Sequence, residues 1–405
     1  MDNKEIRIIN IIPSKSYAHR ALICDHLAGG SGNGVICSLD SDDVTATRNC
    51  LKALKEDGHV LLCGESGSTL RFMLPLAGVL GRSVRLEMEG RLAERPMGPL
   101  EDELQRHGMT ISREDGAICA EGQLEPGTYS LPGSVSSQFI TGLLLSLPHL
   151  DGDSAIELTS DLTSSAYVDI TIDVLKQYGV SIEKEGRRFS VPGHQKYQRE
   201  QQYTVEGDWS QAAFWLAAGA AGSCPVGVAG LKCDSVQGDR EIEDILRSFG
   251  AEITWETMVD DSKVIVAYPS RLHSSVVDIG EVPDLAPAVA AVAAAACGDT
   301  KIINAGRLRL KESDRIESIV SCLGSLGVSA EAVDDGITIH GTGRAAGGET
   351  DTAGDHRIVM MAAVLSLITD NKTIIHGSGA VAKSYPTFFS EMENAGLTGN
   401  LITER

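Results

Sequence analysis

The hydrophobic and polar positions along this chain follow one scheme that recurs six times. A short turn rich in Ser, Asp and Gly opens a helix of Ala, Leu and Val, and a more polar, amphipathic helix follows. The six openings lie at residues 13–16, 64–68, 133–137, 207–210, 282–284 and 353–356. The amphipathic helices are predicted at residues 43–55, 99–107, 168–178, 240–249, 314–326 and 385–394. Their apolar residues recur every three or four positions, which indicates one buried face on each helix.

Glycines and short β-branched stretches complete each repeat. Glycine suits the left-handed position just past a helix, and it ends most of the amphipathic helices, at Gly58, Gly108, Gly179, Gly250, Gly327 and Gly396. Strands are predicted at residues 84–88, 181–182, 253–255, 263–267 and 337–340. Any α/β protein alternates helices and strands, but six polar openings, each followed by an amphipathic helix, favour a true repeat. We therefore expect six similar α/β units in two globular domains.

Composition and charge narrow the choice of partners. The 405 residues include 56 Asp and Glu against 35 Lys and Arg, a net charge of −21, which disfavours nucleic acid and anionic membranes. Nine scattered cysteines without a C-x-x-C motif fit a reducing, cytoplasmic compartment. Residues 1–5 lack a hydrophobic signal region, and the apolar stretch at residues 286–297 is too short to span a bilayer. The histidine spacing suggests no metal site.

The sharpest candidate for chemistry is the opening at residues 13–21. Lys15 stands at the predicted helix start, and Ser16 and Arg20, four residues apart, share a helix face. A hydroxyl and two cations at the positive end of a helix suit a phosphate or a carboxylate. The alternative is a solvated first turn, and the two interpretations are about equal for this motif alone.

A second run of charges lies at residues 311–315. Lys311 and Arg315 are four residues apart, with Glu312 and Asp314 between them. A carboxylate beside two cations suits proton transfer near an anionic substrate. An exposed helix laced with ion pairs is the more common meaning of such a run.

Further cations stand at the ends of predicted elements. His356 and Arg357 open an apolar helix, where their charge opposes the helix dipole, so either an anionic ligand or a buried pair with Asp355 is expected there. Arg95 and Lys383 each lie beside a proline-fixed turn. The Ser-rich opening at residues 134–139 offers hydroxyls and an amide, whereas Asp208 and Ser210 are expected to be simple helix caps. Because no P-loop is present, two anionic ligands other than nucleotides would explain this arrangement.

Seven strings occur in a specific order along the chain. They are Pro-Ser-Lys-Ser-x-x-x-Arg-Ala from residue 13, Asp-Ser-Asp-Asp-Val at 40–44, Glu-Arg-Pro at 94–96, Gly-Ser-Val-Ser-Ser-Gln-Phe at 133–139, Val-Gln-Gly-Asp at 236–239, Lys-Glu-Ser-Asp-Arg at 311–315 and Gly-Asp-His-Arg at 354–357. Through this ordered set the chain resembles the 5-enolpyruvylshikimate-3-phosphate synthase family over almost its whole length.

The resemblance implies an α/β fold of two similar domains. Each would contain three βαβαββ-type repeats in an inside-out α/β barrel. The domains would cover residues 14–237, and residues 1–13 with 238–405, so that a first strand at about residues 5–12 joins the second domain. The implied active site lies in the cleft between the domains, which closes around substrate.

The resemblance also implies a reaction and a set of binding residues. The enolpyruvyl group of phosphoenolpyruvate would pass to the 5-hydroxyl of shikimate 3-phosphate, with release of phosphate, in aromatic amino acid biosynthesis. Shikimate 3-phosphate would be held by Lys15, Ser16, Arg20, Ser136, Ser137, Gln138, Ser164, Tyr167, Asp284, Lys311 and Arg307. Phosphoenolpyruvate would be held by Lys15, Gly67, Arg95, Gln138, Arg315, His356, Arg357 and Lys383.

Three residues would carry the implied addition and elimination. Asp284 would take the proton of the attacking hydroxyl, Glu312 would handle the methylene proton, and Lys15 would neutralise charge and share in proton transfer. No cofactor and no metal are implied, and we expect a monomer that binds these two small substrates and neither nucleic acid nor membrane.

The chain departs from the family pattern at a few positions. Arg307 stands where the family often has Asn, Glu65 replaces an Asn before Gly67, and residues 165–166 replace a Lys-Pro pair. The first repeat is also short. The sister transferase that uses UDP-N-acetylglucosamine is the closest alternative, but it carries a loop cysteine that residues 90–96 lack. A non-catalytic anion-binding protein on the same fold is the other alternative.

Overall fold

A computed structural model of the protein describes residues 5–198, 202–259 and 261–404. The sequence-based expectation for residues 1–4 therefore lies outside the described part of the chain. In that part, the structure contains no helix that is long and apolar enough to cross a membrane. The chain divides into two compact units, which we call the N-terminal unit (residues 13–205) and the C-terminal unit (residues 1–12 and 206–405).

The helices follow the predicted pattern closely. They are α1 (Lys15–Leu27), α2 (Asp42–Lys55), α3 (Gly67–Val79), α4 (Gly98–Arg106), α5 (Ser137–Ser146), α6 (Ser165–Gln177), α7 (Trp209–Ala221), α8 (Ile242–Ser248), α9 (Ala286–Ala295), α10 (Arg315–Ser325), α11 (His356–Leu365) and α12 (Phe388–Asn394). The six predicted amphipathic helices are confirmed as α2, α4, α6, α8, α10 and α12, with ends shifted by a few residues.

The strands are short and lie in six sheets among the described residues. They are β1 (Arg7–Asn10), β2 (Val35–Ile36), β3 (Val60–Gly64), β4 (Val84–Met88), β5 (Thr110–Glu114), β6 (Ala117–Glu121), β7 (Thr128–Leu131), β8 (Ser154–Leu158), β9 (Glu183–Glu185), β10 (Arg188–Val191), β11 (Tyr203–Thr204), β12 (Val226–Ala229), β13 (Glu252–Thr257), β14 (Lys263–Tyr268), β15 (Val276–Asp278), β16 (Cys297–Ile303), β17 (Ser329–Val333), β18 (Gly336–Thr342), β19 (Gly348–Asp351), β20 (Thr373–His376) and β21 (Leu401–Thr403).

Two local predictions are wrong. The strand predicted at residues 181–182 begins at Glu183 instead, because the Gln195 side chain bonds both the backbone N–H and the carbonyl of Ser181, at 2.8 and 3.0 Å. The left-handed residue after α2 is Asp57, with φ 58°, rather than Gly58. Aspartate tolerates this region better than most residues do, so the glycine is not required there.

The N-terminal unit contains three sheets. Strands β3, β4, β6 and β5 form one sheet, and β7, β8, β10 and β9 form a second with the same pattern: a parallel pair followed by two antiparallel pairs. With the intervening helices, each is a βαβαββ repeat. The third sheet is only the parallel pair β2 and β11, which agrees with the short first repeat seen in the sequence.

The C-terminal unit also contains three sheets. Strands β15, β16, β18 and β17 form a complete βαβαββ repeat with α9 and α10. In the sheet of β1, β12, β14 and β13, the first strand comes from the start of the chain and pairs in parallel with β12. The sheet of β19, β20 and β21 ends in a single parallel strand instead of a hairpin.

The second chain crossing differs in position from the expectation. We expected it near Gln237, whereas the structure divides the units between Val205 and Glu206. Strand β12 pairs with β1 and α7 packs on β12, so residues 206–237 belong to the C-terminal unit. A sequence motif at residues 236–239 therefore lies inside the unit and not at its boundary.

Apolar helices form the inside of each unit. In the N-terminal unit, α1, α2, α3, α5 and α6 pack on one another in a ring, and in the C-terminal unit α7, α9 and α11 pack on one another. Every residue of α11, and all of α7 except its last, is buried. A helix that is apolar on all sides belongs in a core, and its many alanines allow close approach. The polar N-terminal ends of these helices are thereby left for other contacts.

Candidate active site

Lys15 and Asp43 form an ion pair at the start of the N-terminal unit. Lys15 is the first residue of α1, Asp43 lies in the first turn of α2, and the Lys15 Nζ to Asp43 Oδ2 distance is 2.6 Å. A cation at a helix N-terminus opposes the helix dipole, and the Asp43 carboxylate offsets that cost. Both side chains keep some exposure, 19% and 15%, so the pair stays within reach of a ligand.

Arg20 lies one turn further along α1 and is 3% exposed. Its Nε donates to Thr171 Oγ1 at 2.8 Å, its Nη1 to the Ser16 carbonyl at 2.6 Å and its Nη2 to the Tyr167 carbonyl at 2.9 Å. Burial lowers the pKa of Arg20 to about 10, which still leaves it charged at neutral pH. The predicted neighbourhood of Ser16 and Arg20 is therefore present, and Tyr167 joins it.

The side chain of Gln138 connects α5 with α3. Its Oε1 accepts a hydrogen bond from Arg71 Nη1 at 2.6 Å, and its Nε2 donates to Ser68 Oγ at 2.9 Å. Ser136 is the N-cap of α5, and its hydroxyl accepts the Gln138 backbone N–H at 3.3 Å. Ser137 follows as the first residue of α5. This opening therefore gathers hydroxyl and amide groups next to a buried cation.

Gly67, the first residue of α3, lies directly against two guanidinium groups. A Cβ at this position would lie 2.7 Å from Arg95 Nη1 and 2.8 Å from Arg71 Nη1. Arg71 Nη2 also donates to the Pro96 carbonyl at 3.1 Å, which connects α3 to the turn after Arg95. The absent side chain thus leaves space in which two cations meet a helix N-terminus.

Ser164 has an unusual backbone conformation. It precedes α6 with φ 55° and ψ 48°, and its side chain is 1% exposed. A residue other than Gly in the left-handed region is strained, and such strain clusters at binding sites. Tyr167, in the first turn of α6, is the residue whose carbonyl accepts from Arg20. The predicted Ser164 and Tyr167 thus adjoin the α1 opening.

Asp284 is the centre of the charged groups in the C-terminal unit. Its Oδ1 accepts from Lys311 Nζ at 3.0 Å and from Arg315 Nη1 at 3.2 Å, and its Oδ2 accepts from Arg357 Nη2 at 3.0 Å. Burial acts to raise the pKa of Asp284, but Arg357, Lys311 and Arg315 together hold it well below its usual range. The carboxyl is therefore ionised at neutral pH.

Arg315 links three carboxylates and is 1% exposed. Besides Asp284, it donates through Nε to Asp355 Oδ2 at 2.9 Å and through Nη2 to Glu312 Oε2 at 2.6 Å. Asp355 is also the N-cap of α11 and accepts the Arg357 backbone N–H at 2.9 Å. The alternative of a buried pair with Asp355 is therefore present in the structure, where Arg315 pairs with this carboxylate and His356 also helps to lower its pKa.

The run at residues 311–315 is not one helix. A 3₁₀ helix ends at Leu310, Lys311 follows it, and α10 begins only at Arg315 with Asp314 as its N-cap. The exposed ion pairs that we considered for this run belong to Arg309, which contacts Asp314 at 2.9 Å and Glu317 at 3.0 Å. Lys311 and Arg315 instead both turn inward to Asp284.

Arg307, Lys383 and His356 adjoin this cluster. Arg307 belongs to the 3₁₀ helix Gly306–Leu310. Its positive charge repels that of Lys311 and thereby adds to the effect of burial, which lowers the pKa of Lys311. Lys383 Nζ donates to the Gly354 carbonyl at 2.9 Å, at the turn before α11. His356 is the first residue of α11 and is 2% exposed.

The predicted site residues thus form one group in each unit, and many of them lie at or beside the N-terminal ends of helices. The N-terminal unit holds Lys15, Ser16, Arg20, Gly67, Arg95, Ser136, Ser137, Gln138, Ser164 and Tyr167. The C-terminal unit holds Asp284, Arg307, Lys311, Glu312, Arg315, His356, Arg357 and Lys383. Helix N-termini carry partial positive charge and unpaired N–H groups, so both groups suit anions.

Sequence reasoning gave no role to three residues that the structure places among these groups. Asp43 and Asp239 stand inside quoted strings, so the signal was present for both. Arg71 is a lone cation in the otherwise apolar α3, four residues after Gly67, which is itself a signal of a functional charge. As expected, Asp208 caps α7 through the Gln211 backbone N–H at 3.0 Å. The same expectation for Ser210 is wrong, because its hydroxyl donates to Asp239.

Solved structures show which class of protein has this fold. EPSP synthase from Acinetobacter baumannii matches with a TM-score of 0.77 and 25% identity, over 98% of this chain and 96% of that chain. The enolpyruvyl transferase NikO from Streptomyces tendae matches in fold, with a TM-score of 0.76 and 17% identity, over 98% of this chain and 96% of that chain. The fold is that of the enolpyruvyl transferases.

Sequence comparison gives the particular family. The family described as EPSP synthase (3-phosphoshikimate 1-carboxyvinyltransferase) matches residues 55–392. A 3-phosphoshikimate 1-carboxyvinyltransferase of Clostridium kluyveri is 41% identical over 411 residues, covering 96% of this chain and 94% of the relative. The chain belongs to the EPSP synthase family. The expectations of family, fold class and enzyme class made from the sequence are therefore confirmed.

Proposed function

We propose that this chain transfers the enolpyruvyl group of phosphoenolpyruvate to the 5-hydroxyl of shikimate 3-phosphate through the two groups of residues described above. The transfer itself is the reaction of the family to which the chain belongs. The observation that carries the residue assignment is Asp284, a partly buried carboxylate that three cations hold ionised. Such a group can accept the hydroxyl proton, while its cations can receive the substrate anions.

Shikimate 3-phosphate is assigned to helix starts that offer hydroxyls, amides and cations. In the N-terminal unit these are Lys15, Ser16, Arg20, Ser136, Ser137, Gln138, Ser164 and Tyr167, and in the C-terminal unit Asp284, Lys311 and Arg307. The fixed contacts of Arg20 support this assignment because a guanidinium already held by backbone carbonyls loses little freedom when a ligand binds. Arg307 is the least supported member, since it departs from the family pattern.

Phosphoenolpyruvate is assigned to a set of residues that are mostly cationic. These are Lys15, Gly67, Arg95, Gln138, Arg315, His356, Arg357 and Lys383. The closeness of Arg95 to Gly67 supports the assignment, because a phosphate or carboxylate at the start of α3 would meet both backbone N–H groups and a guanidinium.

The proposed chemistry uses three residues in addition and elimination. The oxygen of the 5-hydroxyl attacks the enol carbon while Asp284 accepts the hydroxyl proton, and Glu312 gives a proton to the methylene carbon. Phosphate then leaves the tetrahedral ketal, and Glu312 takes back a methyl proton. Lys15 neutralises the charge of the reacting groups. Substrate anions would compete with Asp284 for its cations, which would raise its pKa and strengthen it as a base.

We further propose that the chain acts as a monomer in the cytoplasm. The assigned binding and catalytic residues all belong to a single chain. The nine thiols, of which those of Cys233 and Cys297 are exposed, suit a reducing compartment. Light scattering during gel filtration, with and without both substrates, tests the oligomeric state. A stable dimer would overturn this part of the proposal.

A phosphate-release assay tests the whole assignment. Phosphoenolpyruvate with shikimate 3-phosphate should release phosphate, whereas phosphoenolpyruvate with UDP-N-acetylglucosamine should release none. In the same assay, Arg95→Leu and Lys15→Met should raise the KM for phosphoenolpyruvate, and the surface variant Arg344→Leu should not. If neither site variant differs from the parent, the residue assignment is wrong.

A further inference from the structure

A line of buried polar side chains joins α1, α2 and α3 of the N-terminal unit. His19 Nδ1 lies 2.7 Å from Thr47 Oγ1, Thr47 Oγ1 lies 2.7 Å from Thr69 Oγ1, and Thr69 Oγ1 lies 2.7 Å from Ser66 Oγ. His19 and Ser66 are 1% exposed, and both threonines are 0% exposed. We call these four side chains the polar chain. Four polar groups in a core that could be apolar require an explanation.

The hydrogen bonds fix the direction of the protons along the polar chain. Thr69 donates its hydroxyl proton to Ser66 Oγ, the N-cap that also accepts the Thr69 backbone N–H at 3.2 Å. Each hydroxyl carries one proton, so Thr69 has to accept from Thr47, and Thr47 has to accept from His19 Nδ1. His19 Nδ1 therefore carries a proton, as it does in the neutral Nδ1–H tautomer. Its Nε2 finds no hydrogen-bond partner among the described residues and, in this tautomer, carries no proton to donate.

The surroundings of His19 favour this neutral form. The charged groups near the imidazole are Lys15 and Arg20 of its own helix; α2 presents Thr47, and α3 presents Thr69 and the edge-packed ring of Phe72. Burial, with Lys15 and Arg20, holds the pKa of His19 well below its usual range. A second N–H on this ring would point at no acceptor and add a third positive charge.

The far end of the polar chain reaches the candidate active site. Ser66 is the N-cap of α3 and immediately precedes Gly67. Thr69 Oγ1 also lies 3.3 Å from the Asp43 carbonyl, and the Asp43 carboxylate holds Lys15 at 2.6 Å. The polar chain therefore connects the start of α3 to α1, which carries Lys15, and to α2, which carries Asp43.

We infer that neutral His19 is a positioning residue, which acts through Thr47 and Thr69 to hold Ser66 and the start of α3 in the geometry that binds phosphoenolpyruvate. This inference rests on the proposed assignment of Gly67 and its neighbours to that substrate. His19 itself touches no substrate, and loss of the polar chain should loosen a binding surface without removing any binding group.

Steady-state kinetics of Thr47 variants test the inference. Thr47→Val keeps the shape and removes the hydroxyl, and it should raise the KM for phosphoenolpyruvate by about fivefold or more, with kcat changed by less than about twofold. Thr47→Ser restores the hydroxyl and should return the KM to within about twofold of the parent. Thr373→Val is the matched control: its hydroxyl is buried and bonds Thr369 Oγ1 at 3.2 Å in the other unit. This control should leave the KM unchanged.

The outcomes separate this inference from the proposed function. An unchanged KM in Thr47→Val, alongside a raised KM in Arg95→Leu, overturns the role of the polar chain and leaves the site assignment standing. If Arg95→Leu has no effect either, the site assignment itself fails. If Thr47→Ser behaves like Thr47→Val, side-chain volume and not the hydroxyl is responsible, and the inference is wrong.

Nitrogen NMR of the histidines gives a test that does not depend on activity or on a substituted core. In protein labelled with ¹⁵N-histidine, the His19 ring, assigned by its absence in His19→Asn, should show a protonated Nδ1 and a bare Nε2. This pattern should persist from about pH 8 to about pH 6, where an unperturbed histidine titrates. An Nε2–H tautomer would contradict the inferred proton direction, and an imidazolium at neutral pH would contradict the inferred neutral state of the ring. Because Asn also offers an N–H near the Nδ1 position, His19→Asn should retain more affinity for phosphoenolpyruvate than His19→Leu.

Discussion

At the scale of single residues, four of the cations assigned to substrate are already held by carboxylates. Lys15 contacts Asp43, while Lys311, Arg315 and Arg357 contact Asp284. Buried cations left without a partner would cost several kcal/mol, roughly 3–5 for a broken buried pair. The carboxylates therefore keep the cations in place until an anionic substrate competes for them, and one of them can then serve as a base.

The first prediction concerns Asp284. Asp284→Asn keeps the shape but cannot take a proton, so turnover should fall by about 10² or more. Because none of the cations is removed, shikimate 3-phosphate should still bind within about tenfold of the parent affinity, about 1.4 kcal/mol. Calorimetry beside phosphate release measures the two effects. Asp370→Asn, which alters the exposed ion pair with Arg344, is the control, and normal turnover in Asp284→Asn would refute the assignment.

The second prediction concerns Glu312. In the parent, Arg315 Nη2 lies 2.6 Å from Glu312 Oε2. Glu312→Gln keeps an oxygen at this position for Arg315 but loses the exchangeable proton. Turnover should fall by about 10² or more, and exchange of solvent deuterium into the enolpyruvyl methylene should slow with it. Mass spectrometry of the recovered substrate and product measures this exchange. Glu317→Gln on the exposed side of α10 is the control. Near-normal exchange in Glu312→Gln would move the proton to another group, with Lys15 the next candidate.

A third prediction follows from the raised pKa of Asp239. Burial, followed by repulsion from Asp284, raises the pKa of Asp239 to about 6, against about 3.9 in an unfolded chain. Between these values the folded state keeps a proton that the unfolded state has lost. This carboxyl therefore stabilises the fold at low pH, and the contribution is lost as the pH rises through about 6.

Replacing the Asp239 carboxyl by an amide should remove this contribution to the pH dependence of stability. Asp239→Asn can still accept the hydrogen bond from Ser210 and should gain stability over the parent as the pH rises from about 4 to about 8, by up to about 3 kcal/mol. Urea unfolding of both proteins at several pH values measures the difference in free energy of unfolding. A difference that stays constant with pH would show that Asp239 has an ordinary pKa.

At the scale of elements, many of the assigned residues of the N-terminal unit stand at helix beginnings. The apolar bodies of α1, α3 and α5 lie in the core of their unit, so only their polar first turns are available to a ligand. The first turns of α3 and α5 are set by caps, because Ser66 and Ser136 accept backbone N–H groups through their side chains. The same burial that stabilises the unit thus directs three positive helix ends to the assigned residues.

The fourth prediction concerns the start of α3. Gly67→Ala places a methyl group against Arg95 and Arg71, which have to move away from the helix start. The KM for phosphoenolpyruvate should rise by about tenfold, while the affinity for shikimate 3-phosphate should change less. Gly98→Ala is a close control because Gly98 is also the first residue of its helix and a Cβ there meets nothing within 4 Å. Equal effects in the two variants would contradict the prediction.

At the scale of the whole molecule, the assigned residues come from two units with separate cores. The chain leaves the C-terminal unit after Ile12 and returns to it at Glu206. Strands β1 and β12 therefore share one sheet although the whole N-terminal unit lies between them in the sequence. Phosphoenolpyruvate is assigned residues from both units, and its binding should therefore join them energetically.

The fifth prediction is compaction on binding. The proposed assignment gives each substrate binding residues from both units. If that assignment holds, shikimate 3-phosphate, alone and then with an unreactive analogue of phosphoenolpyruvate, should reduce the radius of gyration in small-angle scattering. Arg357→Leu should weaken the compaction, whereas Arg344→Leu, in an exposed ion pair, should not. An unchanged radius under saturating ligands would remove the support for a site shared by the units.

Much of this protein follows from local sequence. Helix periodicity, capping turns and terminal glycines predicted the six amphipathic helices to within a few residues, because these signals act between neighbours in the chain. The ordered strings gave the family and the fold class. Local reasoning failed where a distant group intervened, as at Ser181, whose backbone is taken by a side chain 14 residues away.

Only the tertiary structure decided which buried polar groups meet. Arg20 bonds Thr171, 151 residues away; Arg71 bonds Gln138, 67 residues away; and Arg315 bonds Asp355, 40 residues away. Nothing local to Arg71 or Asp355 specifies these partners. They result from how apolar helices pack, which brings polar helix starts together and leaves each buried charge to pair with whatever carboxylate, amide or carbonyl the packing places beside it.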